Sequence, residues 1–483
     1  MALSCRNNNT MVSTVLFVSL FLFLLNVEAG VLNLPHPKLL VVSYDAFRYD
    51  YFERNLTPFM SQLKAAGTHA DYMMNIFVTK TFPNHHTMAT GFYAETHGVI
   101  DNEFYDYTTN NVTKYSYKLF HYDNSILPIW TINEKSGKGR HSGTMMWPGS
   151  IYEYQGIKPT FAQQFNDTIS FEDRIDMLIS WFVHPTNPIN FGILYIEDPD
   201  YHGHAIGINS AEFNEVLQRL DNITRYLHNK IDHYGLTDLN VIHLSDHGMA
   251  SVTLERIIDL TNYINSSDYT FVGTSPGLHI FPHAGKEEQI YQKLKFAAEQ
   301  TKTFKVYKRE DIPKKYCYSN NDRIGPIFVI AEIGYAFQNL YDVIEYYKQK
   351  FNITVNNQTE FGLHGYDNGD PEMYPFFFAN GPAFIPGCKL APFNNTDLFP
   401  LFCQLLDLKC PTVNGTLSHV IKCLQTQYFV RYPAGRTVRF PSTIVIIASI
   451  LSLLTAVALF ALNIICVRKR RLNFINLAKS ENQ

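Results

Sequence analysis

Cysteine is scarce in this sequence, with seven residues among 483. None of them forms the Cys-x-x-Cys pairs of a structural zinc site, and their density is far below that of a small disulfide-stapled module. We expect one or two disulfides, including Cys403 with Cys423, although sequence alone leaves the connectivity open. The cysteines between the two apolar ends of the chain are Cys317, Cys388, Cys403, Cys410 and Cys423.

A surplus of positive charge is also missing, because 40 Lys and Arg face 44 Asp and Glu, for a net charge of −4. The sequence has no basic stripe, so no nucleic-acid-binding surface is evident. Internal repeats and low-complexity linkers are absent as well, which excludes a repeat architecture. The length and ordinary apolar content suit a large α/β domain with its own core.

The beginning of the chain is typical of a secretory signal peptide. An apolar run at residues 11–25 follows Arg6, and short side chains precede a cleavage point after Ala29. We therefore expect residues 1–29 to be removed during export.

A second apolar segment, residues 443–467, is long enough to cross a bilayer. The basic run at 468–471 follows it directly, which places the tail 468–483 in the cytosol. These features predict a single-pass type I membrane protein with an ectodomain over 30–425 and a stalk over 426–442.

Asn-x-Ser/Thr sequons agree with an exported, glycosylated ectodomain. They occur at Asn55, Asn111, Asn166, Asn222, Asn265, Asn352, Asn357, Asn394 and Asn414.

Continuous apolar runs separated by helical patterns predict buried parallel strands. The fold class that follows is α/β, with a mostly parallel central sheet flanked by helices. The predicted strands are 38–44, 190–196, 239–244, 277–281 and 327–331, and the predicted helices are 57–66, 171–182 and 211–234.

Polar clusters follow the first three predicted strands, where the open edge of a parallel sheet binds ligands. These clusters contain three carboxylates and two imidazoles. A histidine between glycine-containing turns later in the chain adds a third imidazole. Any one of them alone is more often a helix cap, a turn residue or a hydrogen-bonded histidine, but their joint placement predicts two divalent ions, with zinc favoured by imidazole. The candidate ligands are Asp45, Asp200, His204, Asp246, His247 and His364.

Thr81 is the candidate nucleophile. Threonine is a poor nucleophile at neutral pH and needs a metal or a strong base to stabilise its alkoxide. Residues 84–91 after it resemble the start of a helix, and free N–H groups at a helix N-terminus suit a phosphate.

These motifs together resemble the ectonucleotide pyrophosphatase/phosphodiesterase family of the alkaline phosphatase superfamily. The resemblance covers about residues 38 to 425 in family order and fits the short, single-pass type I branch, since the family's somatomedin-B-like and nuclease-like modules are lacking. The matching blocks are 41–48, 79–85, 95–102, 146–150, 170–175, 200–204, 245–249 and 364–368.

The resemblance implies a two-zinc site. One zinc would be held by Asp200, His204 and His364. The other would be held by Asp45, Asp246 and His247, with Thr81 bound to it as the nucleophile.

The resemblance also implies substrate contacts around the nucleophile Thr81. Asn102 would bind a non-bridging phosphate oxygen, and Phe82 would stack on a nucleobase. Phe165 falls where the family usually has a stacking Tyr, and Lys80 is a further candidate for substrate binding.

Two departures from the family pattern stand near these residues. Ala46 replaces a usual Gly, and Glu103 is acidic where some nucleoside-triphosphate hydrolases carry Lys. The second departure argues against a strong preference for triphosphates.

We therefore expect an extracellular enzyme that releases nucleoside 5′-monophosphates through a covalent intermediate on Thr81. The expected substrates are ADP, ATP, NAD and dinucleoside polyphosphates. The alternatives are a choline-phospholipid or glycerophosphodiester hydrolase on the same metals, and a cell-surface interaction protein with little turnover. The complete set of ligands argues against the last of these.

Overall fold

The computed structural model describes residues 36–137, 139–426, 461, 464–465 and 467–469. The fold lies in the compact unit His36–Ala434. The predicted signal peptide and nearly all of the predicted stalk and span fall outside the described residues. Among the residues that are described, no helix combines the length and apolar character needed to cross a membrane.

The strands are short except in the centre of the fold. In chain order they are β1 Lys38–Tyr44, β2 Thr68–Ala70, β3 Met73–Met74, β4 Phe104–Asp106, β5 Asn111–Thr113, β6 Ser142–Met145, β7 Phe161–Gln163, β8 Phe191–Ile196, β9 Leu239–Leu244, β10 Ala250–Thr253, β11 Ile257–Ile258, β12 Tyr269–Val272, β13 Gly277–Pro282, β14 Phe304–Lys308, β15 Ile327–Ala331, β16 Ala336–Phe337, β17 Glu360–Leu363, β18 Phe377–Asn380, β19 Lys389–Leu390 and β20 Phe393–Asn394.

The α-helices agree closely with the predicted ones where a prediction exists. They are α1 Pro58–Ala66, α2 Thr81–Thr90, α3 Ala94–His97, α4 Tyr117–Phe120, α5 Ile129–Lys135, α6 Phe171–Phe182, α7 Asp200–Ile206, α8 Ala211–His233, α9 Glu287–Thr301, α10 Tyr341–Phe351 and α11 Leu398–Leu405.

The central sheet has the strand order β19-β2-β18-β9-β1-β8-β6-β7. Strand β1 runs parallel to both β8 and β9, so the first three of the five predicted strands are neighbours. Leu39 and Val41 of β1 pack into one buried cluster, while Leu40, Val42 and Tyr44 pack into another. Burial on both faces explains why these strands are apolar throughout rather than alternating.

A second sheet of four strands has the order β12-β13-β15-β14, and its described pairings are antiparallel. It holds the two later predicted strands, which therefore belong to a separate sheet with its own core. An apolar run of five residues predicts a strand but carries no information on the partner with which it pairs.

The predicted Cys403–Cys423 disulfide is wrong. Cys423 is bonded to Cys388, and their Cα atoms are 5.7 Å apart. The segment around Cys423 lies beside residue Ile385, whose N–H donates to the Cys423 carbonyl, and this brings Cys388 within reach. Cys403 is buried in helix α11 as a free thiol.

Candidate active site

The candidate metal ligands meet at one edge of the central sheet because they follow adjacent parallel strands. Asp45 comes directly after β1, Asp200 opens α7 shortly after β8, and Asp246 and His247 follow β9. His204 lies one helical turn along α7 from Asp200, so the two side chains share a face.

His364 reaches the same place by a different route. It follows β17, which pairs antiparallel with β10, and β10 begins three residues after His247. The rings of His364 and His247 are stacked, with centroids 3.7 Å apart. The structure thus brings all six predicted ligands together, although they are spread between positions 45 and 364 of the sequence.

Two groups of ligand atoms can be distinguished. His247 Nε2 lies 3.3 Å from Asp45 Oδ1 and 3.0 Å from Asp246 Oδ2. Asp200 Oδ1 lies 3.4 Å from both His204 Nε2 and His364 Nε2. Atoms of Asp200, His247 and His364 also lie within 4.8 Å of one another, so His247 borders both groups.

The carboxylates carry a signature of metal binding. Asp45 Oδ1, Asp200 Oδ1 and Asp246 Oδ2 are buried and have no hydrogen-bond partner. An unsatisfied buried carboxylate oxygen is costly and rare unless an ion balances it. All three such oxygens point into the ligand cluster, so these residues fit divalent cations.

The imidazoles carry a matching signature, because the Nδ1 atom of each faces a backbone carbonyl. Nδ1 of His204, His247 and His364 donates to the carbonyl oxygens of Gly362, Gly248 and Thr79, at 2.8, 2.9 and 2.8 Å. A carbonyl can only accept, so the proton is on Nδ1 and the Nε2 lone pair is free for a metal. This outer hydrogen bond is typical of metal-ligating histidines.

The electrostatics also favour cations. Burial raises the pKa of Asp45 well above its usual range, and Asp246 and Asp200 add to the rise. Burial would raise the pKa of Asp246 too, but His247 and His85 outweigh it and hold that pKa well below its usual value. The shift of Asp45 shows that the buried carboxylates repel one another, and a divalent cation would relieve this repulsion.

Thr81 is the first residue of helix α2 and is only 6% exposed. The helix starts three residues earlier than predicted, because Pro83 sits in the first turn, where its missing N–H costs nothing. The Thr81 Oγ1 atom lies 3.3 Å from His247 Nε2, beside the group of Asp45 and Asp246. The candidate nucleophile therefore lies beside one of the two groups of candidate ligands.

The segment before Thr81 is held by the loop that carries His364. The Thr79 hydroxyl donates to the Tyr366 carbonyl at 3.0 Å and accepts from the Gly365 N–H at 2.9 Å. Together with the bond from His364 to the Thr79 carbonyl, these contacts connect the backbone before Thr81 to a candidate metal ligand distant in sequence.

Lys80 is buried, and its ammonium group already has three acceptors. They are the carbonyl oxygens of Thr274 and Ser275 and the hydroxyl of Thr274, at 2.8–3.1 Å. In this arrangement Lys80 fixes the backbone next to Thr81. Substrate binding by Lys80 stays a prediction that would require some of these bonds to break.

Asn102 lies beside the start of helix α2. Its Oδ1 accepts from the Phe82 N–H at 2.9 Å, so its Nδ2 donor group is turned away from that bond. Phe82 is partly buried with its ring edge-on to Tyr115 at 5.4 Å. Phe165 is 49% exposed, and its ring lies edge-on to Tyr195 at 6.2 Å.

Some residues at the site have no signal strong enough to find them from sequence alone. His85 is one, because its contacts with the Thr81 carbonyl and with Asp246 come only from the fold. Arg174 is another: it is 1% exposed and forms a two-pronged ion pair with Glu197, two residues after Tyr195. A buried arginine in a helix is visible only once the structure is known.

The structure shows how the chain accommodates Ala46 where the family usually has Gly. Its φ is +57°, the left-handed region that favours glycine. This conformation lets the Ala46 N–H donate to Asp246 Oδ1 at 3.1 Å. The backbone turn is therefore kept at the cost of local strain.

Comparison with known proteins agrees with this geometry. The family described as "Type I phosphodiesterase / nucleotide pyrophosphatase" matches residues 39–367. This chain belongs to that family. The type I phosphodiesterase family hydrolyses phosphodiester and diphosphate bonds and is metal-dependent, so the chain is a nucleotide pyrophosphatase/phosphodiesterase.

Individual relatives cover most of the chain. Human ectonucleotide pyrophosphatase/phosphodiesterase family member 5 is 36% identical over 421 residues, which is 85% of this chain and 83% of the relative. Human bis(5′-adenosyl)-triphosphatase ENPP4 is 34% identical over 414 residues, covering 85% of this chain and 87% of the relative.

A solved structure of murine ENPP5, an inactive Thr→Ala variant in complex with AMP, aligns with a TM-score of 0.73 at 34% identity. It covers 80% of this chain and all of its own. The predicted alkaline-phosphatase-like α/β fold is thereby confirmed.

Proposed function

We propose that this chain is a zinc-dependent nucleotide phosphodiesterase that releases nucleoside 5′-monophosphates through a covalent intermediate on Thr81. The observation that carries the proposal is the position of the Thr81 Oγ1 atom, 3.3 Å from His247 Nε2 at the edge of a largely buried cluster of six candidate ligands. A buried threonine hydroxyl at a helix N-terminus has few other reasons to face metal ligands.

Zinc suits the mixed carboxylate and imidazole ligands, and two ions would stabilise the alkoxide of Thr81 and the charge on the leaving oxygen. Asp200, His204 and His364 would hold one ion. Asp45, Asp246, His247 and Thr81 would hold the other; the orphaned carboxylate oxygens support this assignment.

The proposed reaction has two displacements at phosphorus. The Thr81 Oγ atom forms a bond to the α-phosphorus while the bond from phosphorus to the leaving oxygen breaks. Water then cleaves the threonine–phosphorus bond, which releases the 5′-monophosphate and restores the hydroxyl. The Asn102 Nδ2 group can donate to a non-bridging oxygen, and the positive end of the α2 helix dipole adds to the stabilisation.

Phe82 and Phe165 are the proposed stacking partners of the base. Both rings are accessible, and each rests edge-on against a tyrosine that fixes its orientation. Stacking tolerates any base, so this pair predicts a broad preference among nucleotides rather than a strict one.

The relatives support nucleotides as substrates, since one is a bis(5′-adenosyl)-triphosphatase and another binds AMP. We propose dinucleoside polyphosphates, ADP, ATP and NAD. Glu103 accepts from the Gly273 N–H at 3.0 Å and keeps a negative charge close to Asn102, which disfavours triphosphates relative to less charged substrates.

We further propose that the catalytic domain faces the cell exterior. The predicted signal peptide, the predicted span with its basic flank and the sequons support this orientation.

The test is hydrolysis of p-nitrophenyl thymidine 5′-monophosphate by the secreted domain, with and without chelator. We expect activity that chelator removes and zinc restores. Thr81→Ala should abolish turnover, whereas Thr81→Ser should retain part of it because the hydroxyl remains. Hydrolysis of p-nitrophenyl phosphocholine but not of the nucleotide ester would instead support the phospholipid hydrolase.

A further inference from the structure

Tyr195 lies in β8 and ends in the candidate metal site. Its hydroxyl donates to Asp45 Oδ2 at 2.5 Å. The side chain is 9% exposed, so this bond is shielded from water. A hydrogen bond to a charged group in such a place is short and strong.

This bond makes the two oxygens of Asp45 unequal. Oδ2 is engaged by Tyr195, whereas Oδ1 has no partner and lies 3.3 Å from His247 Nε2. Asp246 shows the same division, with Oδ1 bonded to the Ala46 N–H and Oδ2 free. In Asp246 the donor is backbone, but in Asp45 it is a side chain that mutation can change.

The ring of Tyr195 has a second set of neighbours. Its centroid is 5.2 Å from the ring of His85 and 6.2 Å from the ring of Phe165, both in edge-on contact. His85 in turn donates through Nδ1 to the carbonyl of Thr81 at 2.8 Å. One side chain therefore borders a metal ligand, the support of the nucleophile and the proposed base-stacking residue.

We propose that Tyr195 is a positioning residue that presents Asp45 to zinc as a single-oxygen ligand, while its ring separately supports Phe165. The hydroxyl prevents the carboxylate from rotating to offer its other oxygen. The catalytic part of this inference rests on the proposed function, but the effect on metal affinity does not.

The test is Tyr195→Phe, which removes the hydroxyl and keeps the ring. Zinc retained per molecule is measured across a graded series of chelator concentrations. Loss of an outer hydrogen bond to a ligand typically costs 10–100-fold in metal affinity, so we expect zinc to leave Tyr195→Phe at a chelator concentration lower by about that factor.

Tyr44→Phe is the matched control. Tyr44 is as deeply buried and immediately precedes Asp45 in sequence, but its hydroxyl bonds to Thr224 and His243 on the other face of the sheet. We expect wild-type zinc retention in this control. Equal zinc loss in both variants, or none in Tyr195→Phe, would overturn the proposal.

Steady-state kinetics separate the two roles of the side chain. In zinc-saturated buffer, we expect Tyr195→Phe to lower kcat about 10-fold with KM nearly unchanged, because the ring still supports Phe165. Phe165→Ala should mainly raise KM. If wild type hydrolyses no nucleotide, the proposed function fails, yet weaker zinc retention in Tyr195→Phe would still uphold the role of the hydroxyl.

Discussion

A pair of histidines, buried His243 and partly buried His228, predicts a specific acid sensitivity. His228 Nε2 and His243 Nε2 are 3.0 Å apart, so one must donate and the other accept. The Thr224 hydroxyl donates to the Leu220 carbonyl, so it accepts from Tyr44. The Tyr44 oxygen then accepts from His243 Nδ1–H, which leaves His243 Nε2 as the acceptor and His228 as the donor.

This chain of bonds determines which ring titrates. Protonating His243 would break the bond between the rings, whereas His228 can accept a proton at Nδ1. Burial nevertheless lowers the pKa of His228 from 6.5 to about 4. The unfolded chain therefore binds a proton that the folded chain rejects between these two values.

The magnitude follows from linkage between proton binding and folding. A tenfold difference in proton affinity between the folded and unfolded chains is worth about 1.4 kcal/mol, so the lowered pKa of His228 costs about 3 kcal/mol when the pH falls from 7 to 4. The free energy of unfolding therefore decreases as the pH falls below 6.5. His228→Gln keeps a donor and removes the titration.

The assay is denaturant unfolding of the metal-free protein without its predicted signal peptide and span, at several values between pH 7 and pH 4, so that loss of metal does not contribute. We expect the free energy of unfolding of wild type to fall by about 3 kcal/mol more than that of His228→Gln over this range. Parallel curves for the two proteins would refute the reasoning.

Two further predictions concern stability and the substrate pocket. Arg174→Met would leave the partly buried Glu197 without its partner and remove the bonds from Arg174 to the carbonyls of residues 166 and 169. We expect a loss of about 3–5 kcal/mol in denaturant unfolding and a higher KM, because the loop that carries Phe165 is released; a change below 1 kcal/mol would contradict this. Replacing Cys388 and Cys423 by Ser opens a loop with a sequence separation of 35. This double variant should lose about 4 kcal/mol, and an unchanged unfolding midpoint would show that the bond does not constrain the unfolded chain.

Sequence predicted the parts of this fold that depend on local pattern. The apolar runs of β1, β8 and β9 are buried on both faces, so their composition alone identified them. The ligands after these strands could be predicted because parallel neighbours end at one edge. Helices α6 and α8 kept their predicted bounds to within one residue, since apolar spacing and serine caps mark both.

The features that could not be predicted from the sequence depend on contacts between distant segments. The disulfide partner of Cys423 is set by the backbone bond from Ile385, which no spacing rule contains. The role of Lys80 is decided by two carbonyls nearly 200 residues away. In the sequence, Tyr195 resembles the other residues of a buried apolar strand. Only the structure shows that its hydroxyl bonds to Asp45.

Covalent bonding of Thr81 to phosphorus is tested most directly by the stereochemistry at the α-phosphorus. The measurement uses a chiral phosphorothioate diester hydrolysed in isotopically labelled water. Two displacements, first by Thr81 and then by water, predict net retention of configuration at phosphorus. Inversion would mean that water attacks the substrate directly, and would contradict the account of Thr81 as the nucleophile.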